Sequence, residues 1–474
     1  MFIMRKLCIT LLMGLAVVAC GKATQAEEPA PQKPETPDVP VTPQPQEPAG
    51  QCVDAPLVVE VAADASLGTS GLVQVFRADG TLVDKIDLAD MDKVNVLEDG
   101  TMIPKEQGSG FMDRLHSGSA TRTVHYTPLR LEDGKLFIKL HSGVLGFGGS
   151  YYFTVDASVA GQAVEKEVFT TKAKPSGSTL SVKADGTGDF CTVQGALNYA
   201  VSLGKETAVT IEVGEGTYRE LLYLRDKNQL TVKGVSREKS IVKYPNSEKY
   251  MSGTSARCLW LVENCNALVL ENLTIENSFY SSDHKGQAET IYFNSGDNSH
   301  RLTIENCALI SWQDTFLCKG EVWVHNSLIA GHCDYIWGYP KVCLFEDCEI
   351  RSRAAGYIIQ ARVPNAADKG FVFLNCKLTA ESGVKDGSMY LARSAGQSDC
   401  FDNVTYVNCT MSAVIRPEGW LGSPAPNPSA PTVTAGWKEY GTTGVSTASR
   451  NAYGRILSAD EASAYNSREA VLSW

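Results

Sequence analysis

Residues 302–327 read LTIENCALISWQDTFLCKGEVWVHNS and contain one short pattern twice. In each copy a run of β-branched and apolar residues closes with an asparagine and a small residue, at Asn306 and again at Asn326. The two asparagines are 20 residues apart. Such a short strand cannot bury its apolar face alone, so a repeat of this length predicts a solenoid whose coils stack on each other.

The pattern recurs along the second half of the chain. The residues that close its copies are, in order, Asn272, Asn306, Asn326, Asp347, Asn375 and Asn408. Their spacings of 34, 20, 21, 28 and 33 residues fit coils of one length with variable insertions. Stacked strands lie about 4.8 Å apart, so asparagines should form a ladder beside a ladder of buried, reduced cysteines. We therefore predict a mostly β protein with a single-stranded parallel β-helix over residues 178–474, in which disulfides between neighbouring coils stay possible.

Composition and charge limit what the protein binds. The chain has 474 residues, of which 43% are hydrophobic and 20% charged, so two or three globular domains are expected. Its net charge of -11 argues against a nucleic-acid partner.

The first 50 residues predict export and a membrane tether. Two basic residues precede an apolar stretch that is too short to span a membrane, which is typical of a signal peptide over residues 1–19. The stretch ends in VVACG, which resembles a bacterial lipobox with Cys20 as the lipidated residue; a plain signal peptide is the alternative. Residues 20–50 are rich in proline and predict an extended linker. We expect an exported lipoprotein on the outer membrane of a Gram-negative bacterium, facing the periplasm or the surface.

Residues 51–173 predict a small β-sandwich of Ig-like architecture. Short apolar runs typical of strands occur at 57–61, 72–76, 136–140 and 151–155. The pairs Asp79-Gly80 and Asp133-Gly134 supply hairpin turns. This region contains no catalytic constellation, so we favour a spacer over a weak sugar-binding module.

Two helices are also predicted. Residues 193–203 carry apolar side chains at helical spacing after Thr192, a plausible N-cap. Ser458 and Glu461 form a capping-box pattern before a terminal helix that covers the open end of the solenoid or packs along one face.

Two aspartates lie in unusually apolar, aromatic surroundings, Asp314 near Trp312 and Asp334 beside Tyr335. They are 20 residues apart, so stacking of coils would place one above the other. Two carboxyl groups that close cannot both ionise freely, which separates them into an acid and a base. The alternative is that both are ordinary turn or ladder residues.

Other polar residues could complete a reactive site. Gln313 adjoins Asp314, Gln287 lies roughly one coil earlier, and Arg393 is a cation inside an apolar run. Together they offer a carboxylate nucleophile, a proton carrier, amide donors for an oxyanion and a guanidinium, which is a set for acyl transfer. Neither a Gly-x-Ser-x-Gly nor a His-Glu-x-x-His segment occurs, and we expect no metal and no cofactor.

Five segments resemble those of the pectin methylesterases (carbohydrate esterase family 8) and come in that family's order. They are Gly216-Thr-Tyr218-Arg-Glu220, Gln287-Ala288, Gln313-Asp314-Thr315, Gly331-His-Cys-Asp334-Tyr-Ile-Trp-Gly338 and Leu391-Ala-Arg393. The resemblance implies a right-handed parallel β-helix and a carboxylic ester hydrolase that releases methanol from pectin. It covers about residues 178–474 and agrees with the coil period found independently.

The resemblance also implies roles for individual residues. Asp334 would attack the ester carbonyl, and Asp314 would protonate the departing methanol and then activate water. Gln287 and Gln313 would hold the oxyanion, and Arg393 would bind Asp334 and keep it ionised. The expected partners are pectin and, through the lipid, a membrane, with the protein itself a monomer.

The chain departs from the family's pattern near the expected sugar contacts. The family's Pro-Trp after the arginine is Ser-Ala at residues 394–395, so an aromatic residue is missing there. We expect the cleft to be lined instead by Phe316, Trp337, Tyr339 or Trp420.

A second departure follows Gln287-Ala288, where the family's valine is Glu289. These changes leave other functions open. One is an esterase or thioesterase with another acyl substrate, another a non-catalytic β-helix that binds polysaccharide, and a polysaccharide lyase is a third.

Overall fold

The computed structural model of the chain describes residues 50–474. The predicted signal peptide, the lipidated Cys20 and all but the last residue of the predicted linker lie outside this range. In the described part, no helix is both long enough and apolar enough to cross a membrane.

The amino-terminal region consists of short antiparallel strands. They are β1 (Leu57–Glu60), β2 (Leu72–Arg77), β3 (Leu82–Asp87), β4 (Val94–Val96), β5 (Met102–Pro104), β6 (Met112–Ser117), β7 (Ala120–His125), β8 (Leu129–Glu132), β9 (Lys135–Ile138), β10 (Ser150–Val155) and β11 (Val164–Thr170). A 3-10 helix (Leu88–Lys93) and the short helix α1 (Ala157–Ala160) interrupt them.

Two of the amino-terminal sheets, ordered β1-β9-β8 and β11-β10-β2-β3, enclose a common apolar core. Asp79-Gly80 turns the chain between β2 and β3, and Asp133-Gly134 turns it between β8 and β9. The core between two sheets is that of a sandwich, while the Ig-like architecture stays a prediction.

The rest of the strands form one continuous 23-stranded sheet wound into a parallel β-helix, as predicted. They are β12 (Thr179–Val182), β13 (Val209–Val213), β14 (Gly216–Tyr218), β15 (Leu222–Arg225), β16 (Leu230–Gly234), β17 (Ser240–Tyr244), β18 (Trp260–Glu263), β19 (Leu268–Glu271), β20 (Thr274–Asn277), β21 (Ile291–Asn294), β22 (Arg301–Glu305), β23 (Ala308–Ile310), β24 (Phe316–His325), β25 (Leu328–Glu346), β26 (Glu349–Ala361), β27 (Gly370–Leu374), β28 (Lys377–Ala380), β29 (Met389–Arg393), β30 (Val404–Val407), β31 (Thr410–Met411), β32 (Trp420–Leu421), β33 (Trp437–Tyr440) and β34 (Gly454–Ile456).

The strand register confirms the coil spacing read from the sequence. Leu302 of β22 pairs with Val322, and Val322 pairs with Cys343 of β25. All six residues that close the repeats have φ between 47° and 55°, a left-handed conformation that asparagine and aspartate tolerate better than other side chains. Each one turns the chain at a corner of its coil.

The predicted ladders are present at these corners. The amide of Asn306 donates to the Oδ1 atom of Asn272 at 2.7 Å, and Asn326 donates to Asn306 at 3.4 Å. The neighbouring cysteines are buried free thiols that donate to main-chain carbonyl groups: Cys307, Cys348, Cys376 and Cys409. The ladder cysteines are thus core residues.

Helices cover parts of the solenoid. Helix α2 (Val193–Ser202) begins at its N-cap Thr192, as predicted, and packs on the first coils. Helix α3 (Thr254–Arg257) lies between β17 and β18. The capping box of Ser458 and Glu461 starts α4 (Ala459–Ala462), which is followed by a 3-10 turn (Ser463–Tyr465) and by α5 (Arg468–Val471). This carboxyl-terminal segment shares a core with β25, β27 and β30, so it packs along one face of the solenoid.

Candidate active site

Neighbouring coils bring the two aspartates together, as their spacing predicted. Gln313 pairs with Cys333, and Phe316 of β24 pairs with Ile336 of β25, a register of 20 residues. The main-chain N–H of Asp314 donates to the carbonyl group of Cys333 at 3.0 Å. Since Gln313 lies beside Cys333, the next residues of the two coils, Asp314 and Asp334, are also neighbours.

Both aspartates have a left-handed backbone, with φ of 64° at Asp314 and 46° at Asp334. This conformation is uncommon outside glycine and is frequent at functional sites. Both carboxyl groups are nevertheless buried among neighbouring coils.

The two glutamines extend the same stack by one coil. Gln287 pairs with Gln313, which in turn pairs with Cys333. Three successive coils thus contribute polar side chains to one site. The first coil contributes Gln287, the second Gln313 and Asp314, and the third Asp334.

These side chains surround a small cleft of about 300 Å³, its open mouth included. It is lined by Gln287, Gln313, Asp314, Asp334, Trp337, Gln360, Arg362 and Arg393. A larger cavity of about 940 Å³ lies elsewhere, between the amino-terminal region and α2, and includes Lys139 and Tyr199. We place the chemistry in the smaller cleft because the paired carboxyl groups are there.

Asp334 is held on both of its oxygen atoms. The Nε atom of Arg393 donates to Oδ1 at 2.8 Å and to Oδ2 at 3.1 Å, and its Nη2 atom also donates to Oδ2. Gln360 donates to Oδ2 as well, at 3.0 Å. Charge-assisted bonds of this kind fix the carboxylate in one orientation and leave Oδ1 the less occupied oxygen.

Asp314 lies in different surroundings. Burial, followed by the charge of Glu289, raises the pKa of Asp314 well above its usual range, and Arg257 offsets part of that rise. Asp334 adds to the rise as a like-charged neighbour. Asp314 therefore keeps its proton to a higher pH than an exposed aspartate does, as a general acid must.

Arginines determine which way two of the amides point. An arginine can only donate, so the oxygen of an amide must face it. The Oε1 atom of Gln287 accepts from Arg257 at 2.6 Å, and that of Gln360 accepts from Arg362 at 3.0 Å. The NH2 group of Gln360 consequently reaches Asp334, while that of Gln287 faces away from Arg257, where it can serve as a donor in the cleft.

The structure separates the four predicted aromatic residues. Trp337, 7% exposed, lines the cleft, and Tyr339 lies beside it, its hydroxyl accepting from Arg362 at 2.9 Å. The predictions for Phe316 and Trp420 are wrong, because both side chains lie in the core. Phe316 pairs with Ile336 of β25, and both side chains face the core. Successive residues of a strand face opposite sides, so Trp337, which follows Ile336, faces the cleft.

Sequence reasoning missed four residues of the site. Gln360 lines the cleft from β26, where it pairs with Trp337, and Arg362 lines it from just beyond the end of that strand. The sequence carried a usable signal for both residues, because two polar side chains one residue apart, Gln360 and Arg362, follow an apolar run and would face the same side of a strand. Arg257 and Glu289 lie behind the cleft, and Arg257 belongs to a segment outside the strand repeat, so no spacing pointed to it.

The sequence and the fold match known esterases. Residues 179–471 match the family model described as Pectinesterase. Pectinesterase 31 of Arabidopsis thaliana is 31% identical over 253 residues, which are 51% of this chain and 76% of that protein. Probable pectinesterase A of Aspergillus niger is 30% identical over 267 residues, covering 54% of this chain and 76% of the relative.

Solved structures agree with the sequence matches. A pectin methylesterase from Aspergillus niger superposes with a TM-score of 0.52 and 26% identity, over 63% of this chain and 95% of that one. Pectin methylesterase PemA from Erwinia chrysanthemi has the same TM-score at 20% identity, over 64% and 98% of the two chains, and supports the fold. The matched residues include every group that lines the cleft. The chain therefore belongs to the pectinesterase family of carboxylic ester hydrolases.

Proposed function

We propose that Asp334 and Asp314 carry out the hydrolysis of pectin methyl esters by this chain. The observation that carries the proposal is the arrangement of two stacked carboxyl groups, one bound by an arginine on both oxygens and the other buried with a raised pKa. Membership of the pectinesterase family supports methyl-ester hydrolysis, and the residues that line the cleft support the roles proposed for the two aspartates.

The geometry supports a two-step mechanism. The Oδ1 atom of Asp334 attacks the ester carbonyl carbon, and the amides of Gln287 and Gln313 donate to the oxyanion that forms. Asp314 transfers its proton to the methoxy oxygen as the C–O bond breaks, which releases methanol and leaves an acyl-enzyme anhydride. Asp314, now a carboxylate, takes a proton from water, which cleaves the anhydride and restores Asp334.

Cations and aromatic rings at the cleft fit an acidic sugar chain. The guanidinium group of Arg362 lies 5.0 Å from the ring centre of Trp337, and Lys319 lies 5.8 Å from that of Tyr339. We assign Trp337 and Tyr339 to substrate binding, since aromatic faces pack against sugar rings while nearby cations attract the carboxylates of demethylated units.

The test is methanol release from highly methylated pectin by the Asp334→Asn variant. Asparagine tolerates the left-handed backbone but is no nucleophile, so kcat should fall by about a thousandfold or more in the folded variant. The matched control is Asp347→Asn, at an exposed coil corner with φ of 54°, which should keep wild-type activity. Asp334→Asn retaining a tenth of the wild-type rate would exclude Asp334 as the nucleophile.

We also infer that the mature protein is a monomer held to a membrane by lipid on Cys20. The support is the VVACG sequence after a short apolar stretch, followed by a proline-rich segment of suitable length for a tether. Such an anchor would keep the esterase at the cell envelope.

A further inference from the structure

A buried ion pair lies directly behind the cleft. Glu289 is 0% exposed, and Arg257 is 5% exposed. The Nε atom of Arg257 lies 3.1 and 3.0 Å from the two carboxylate oxygens, and its Nη2 atom lies 2.7 Å from Oε1. Burial opposes the charge on Arg257, but its bonds to Glu289 and the nearby carboxyl groups of Asp314 and Glu248 together outweigh burial and raise the pKa of the arginine.

The remaining donors of Arg257 reach residues of the cleft. Its Nη2 atom also donates to Oδ2 of Asp314 at 3.1 Å, and its Nη1 atom donates to Oε1 of Gln287 at 2.6 Å. Glu248 accepts from Nη1 at 3.1 Å on the outer side. One guanidinium group thus joins the proposed proton carrier to an amide proposed to bind the oxyanion.

The amino-terminal region holds the segment that carries this arginine. Arg122 of β7 is buried, and its guanidinium group donates to the carbonyl groups of Leu222 at 2.6 Å, Ala256 at 3.1 Å and Cys258 at 2.5 Å. The last two carbonyls flank Arg257 on both sides. A contact from the first domain therefore fixes the main chain from which Arg257 extends.

A second contact from the same strand reinforces this support. A ring nitrogen of His125 lies 3.3 Å from the Oδ1 atom of Asn246. The amide of Asn246 donates to the same two carbonyl groups of Ala256 and Cys258, at 2.9 and 3.0 Å. Strand β7 thus supports the α3 segment directly and through Asn246.

We propose that Arg257, paired with Glu289 and anchored through Arg122, is a positioning residue that orients the amide of Gln287 and the carboxyl group of Asp314. Ester hydrolysis then depends on the amino-terminal domain, which is a structural part of the active site and not only a spacer. The inference rests on the roles proposed for Asp314 and Gln287.

The pair of Arg257 and Glu289 should also determine the pH at which Asp314 loses its proton. The charged and titratable groups that face this carboxyl group are Arg257, Glu289, Asp334 and the thiol of Cys333, with Glu248 and Arg393 one contact further away. Glu289 balances the positive charge of Arg257. Without that balance, Arg257 would favour the ionised form of Asp314, and the general acid would lose its proton at a lower pH.

The first experiment compares pH profiles of kcat/KM for methanol release in wild type, Glu289→Gln and Arg257→Lys. Glutamine keeps the shape of Glu289 but removes its charge, so the alkaline limb should move down by about one pH unit or more. Lysine keeps the charge but cannot hold both Asp314 and Gln287, so kcat should fall about tenfold or more with little change in KM. The positioning role of Arg257 and Glu289 would be overturned by either of two results. One is an alkaline limb that stays at the wild-type pH in folded Glu289→Gln, and the other is a wild-type kcat in Arg257→Lys.

A titration without substrate separates this inference from the proposed function. Carbon-13 NMR of aspartate-labelled protein follows the Asp314 carboxyl group, which is assigned by its absence in Asp314→Asn. We expect its midpoint to drop in Glu289→Gln by the same shift as the kinetic limb. Wild-type protein that releases no methanol would refute the proposed function, whereas an unchanged midpoint would refute the positioning pair.

The contribution of the amino-terminal domain is tested with Arg122→Met. Loss of its bonds should release the α3 segment and lower kcat about tenfold, and the kinetic pH limb should move as well, which a loss of stability alone would not cause. Arg114→Met, on the adjacent strand β6 with an exposed side chain, is the control and should match wild type. Equal kcat and pH profiles in the two variants would overturn the anchoring role.

Discussion

Arginines hold four polar residues of this site, Asp334, Asp314, Gln287 and Gln360, each in one orientation. Arg393 binds Asp334, Arg257 binds Asp314 and Gln287, and Arg362 binds Gln360. A guanidinium group is planar and only donates, so it determines which atom of an amide or carboxylate turns toward it. The cleft is thus organised before a substrate arrives, which is what stabilisation of an oxyanion requires.

A buried carboxyl group that bonds to Ser394 should make stability depend on pH. Asp402 accepts from the hydroxyl of Ser394 and from the N–H of Asn427, both at 2.8 Å, and burial raises its pKa to about 6. The folded state therefore binds this proton more tightly than the unfolded state, in which the pKa is about 4. The free energy of unfolding should fall as the pH rises from about 4 to about 6, by roughly 2 kcal/mol.

The variant Asp402→Asn tests this dependence, since an amide keeps an acceptor for both bonds and does not titrate. Its free energy of unfolding in urea, relative to wild type, should increase by roughly 2 kcal/mol between about pH 4 and about pH 7. Asp399→Asn, at an exposed neighbouring position, serves as the control. A constant difference between Asp402→Asn and wild type would contradict the assignment.

The six coil corners identified from the sequence each have positive φ, and this corner is where the repeat is most specific. Asparagine or aspartate stands at all six corners identified from the sequence. Their side chains also bond from coil to coil, as Asn306 does to Asn272. Corner conformation and coil stacking therefore depend on the same residues.

Substitutions of Asn306 separate these two contributions. Asn306→Gly keeps the left-handed backbone accessible and loses only the ladder bonds, which should cost about 1 kcal/mol in the free energy of unfolding. Asn306→Ala loses the same bonds and in addition strains the backbone, so it should cost about 1 kcal/mol more. Urea unfolding of both variants measures the difference, and equal stabilities would show that the corner is not strained.

The two domains form one body in the described part of the chain. Leu115 and Val124 of the amino-terminal domain belong to the core of the β-helix, and Asp54 binds the first residues of the turn into α2. The cleft itself spans several coils, from Gln287 to Arg393. Activity therefore depends on contacts that are distant in sequence.

Attachment of the whole protein to a membrane has a direct test. When cells that express the chain are grown with a labelled fatty acid, the protein should carry the label at Cys20 and should sediment with membranes. Cys20→Ser should lose both properties, whereas Cys8→Ser, within the apolar stretch, should retain them. Label that persists in Cys20→Ser would refute the lipid anchor.

Much of this molecule was predictable from the chain alone because a solenoid is built from local repeats. The strand, the corner asparagine and the small residue recur in the sequence, and a spacing of 20 residues places Asp314 beside Asp334 without knowledge of any other contact. Motifs then indicated the two glutamines and Arg393. Each of these inferences uses neighbouring coils only.

The remaining features depend on contacts that no local pattern encodes. Phe316 and Trp337 are equally apolar in sequence, and only the packing of the strands shows which one faces the core. Arg257 reaches Asp314 from a segment outside the repeat, and Arg122 reaches that segment from another domain. Coil stacking follows from the period of the repeat, whereas the positions of insertions and the contacts between domains follow from side-chain packing across the whole protein.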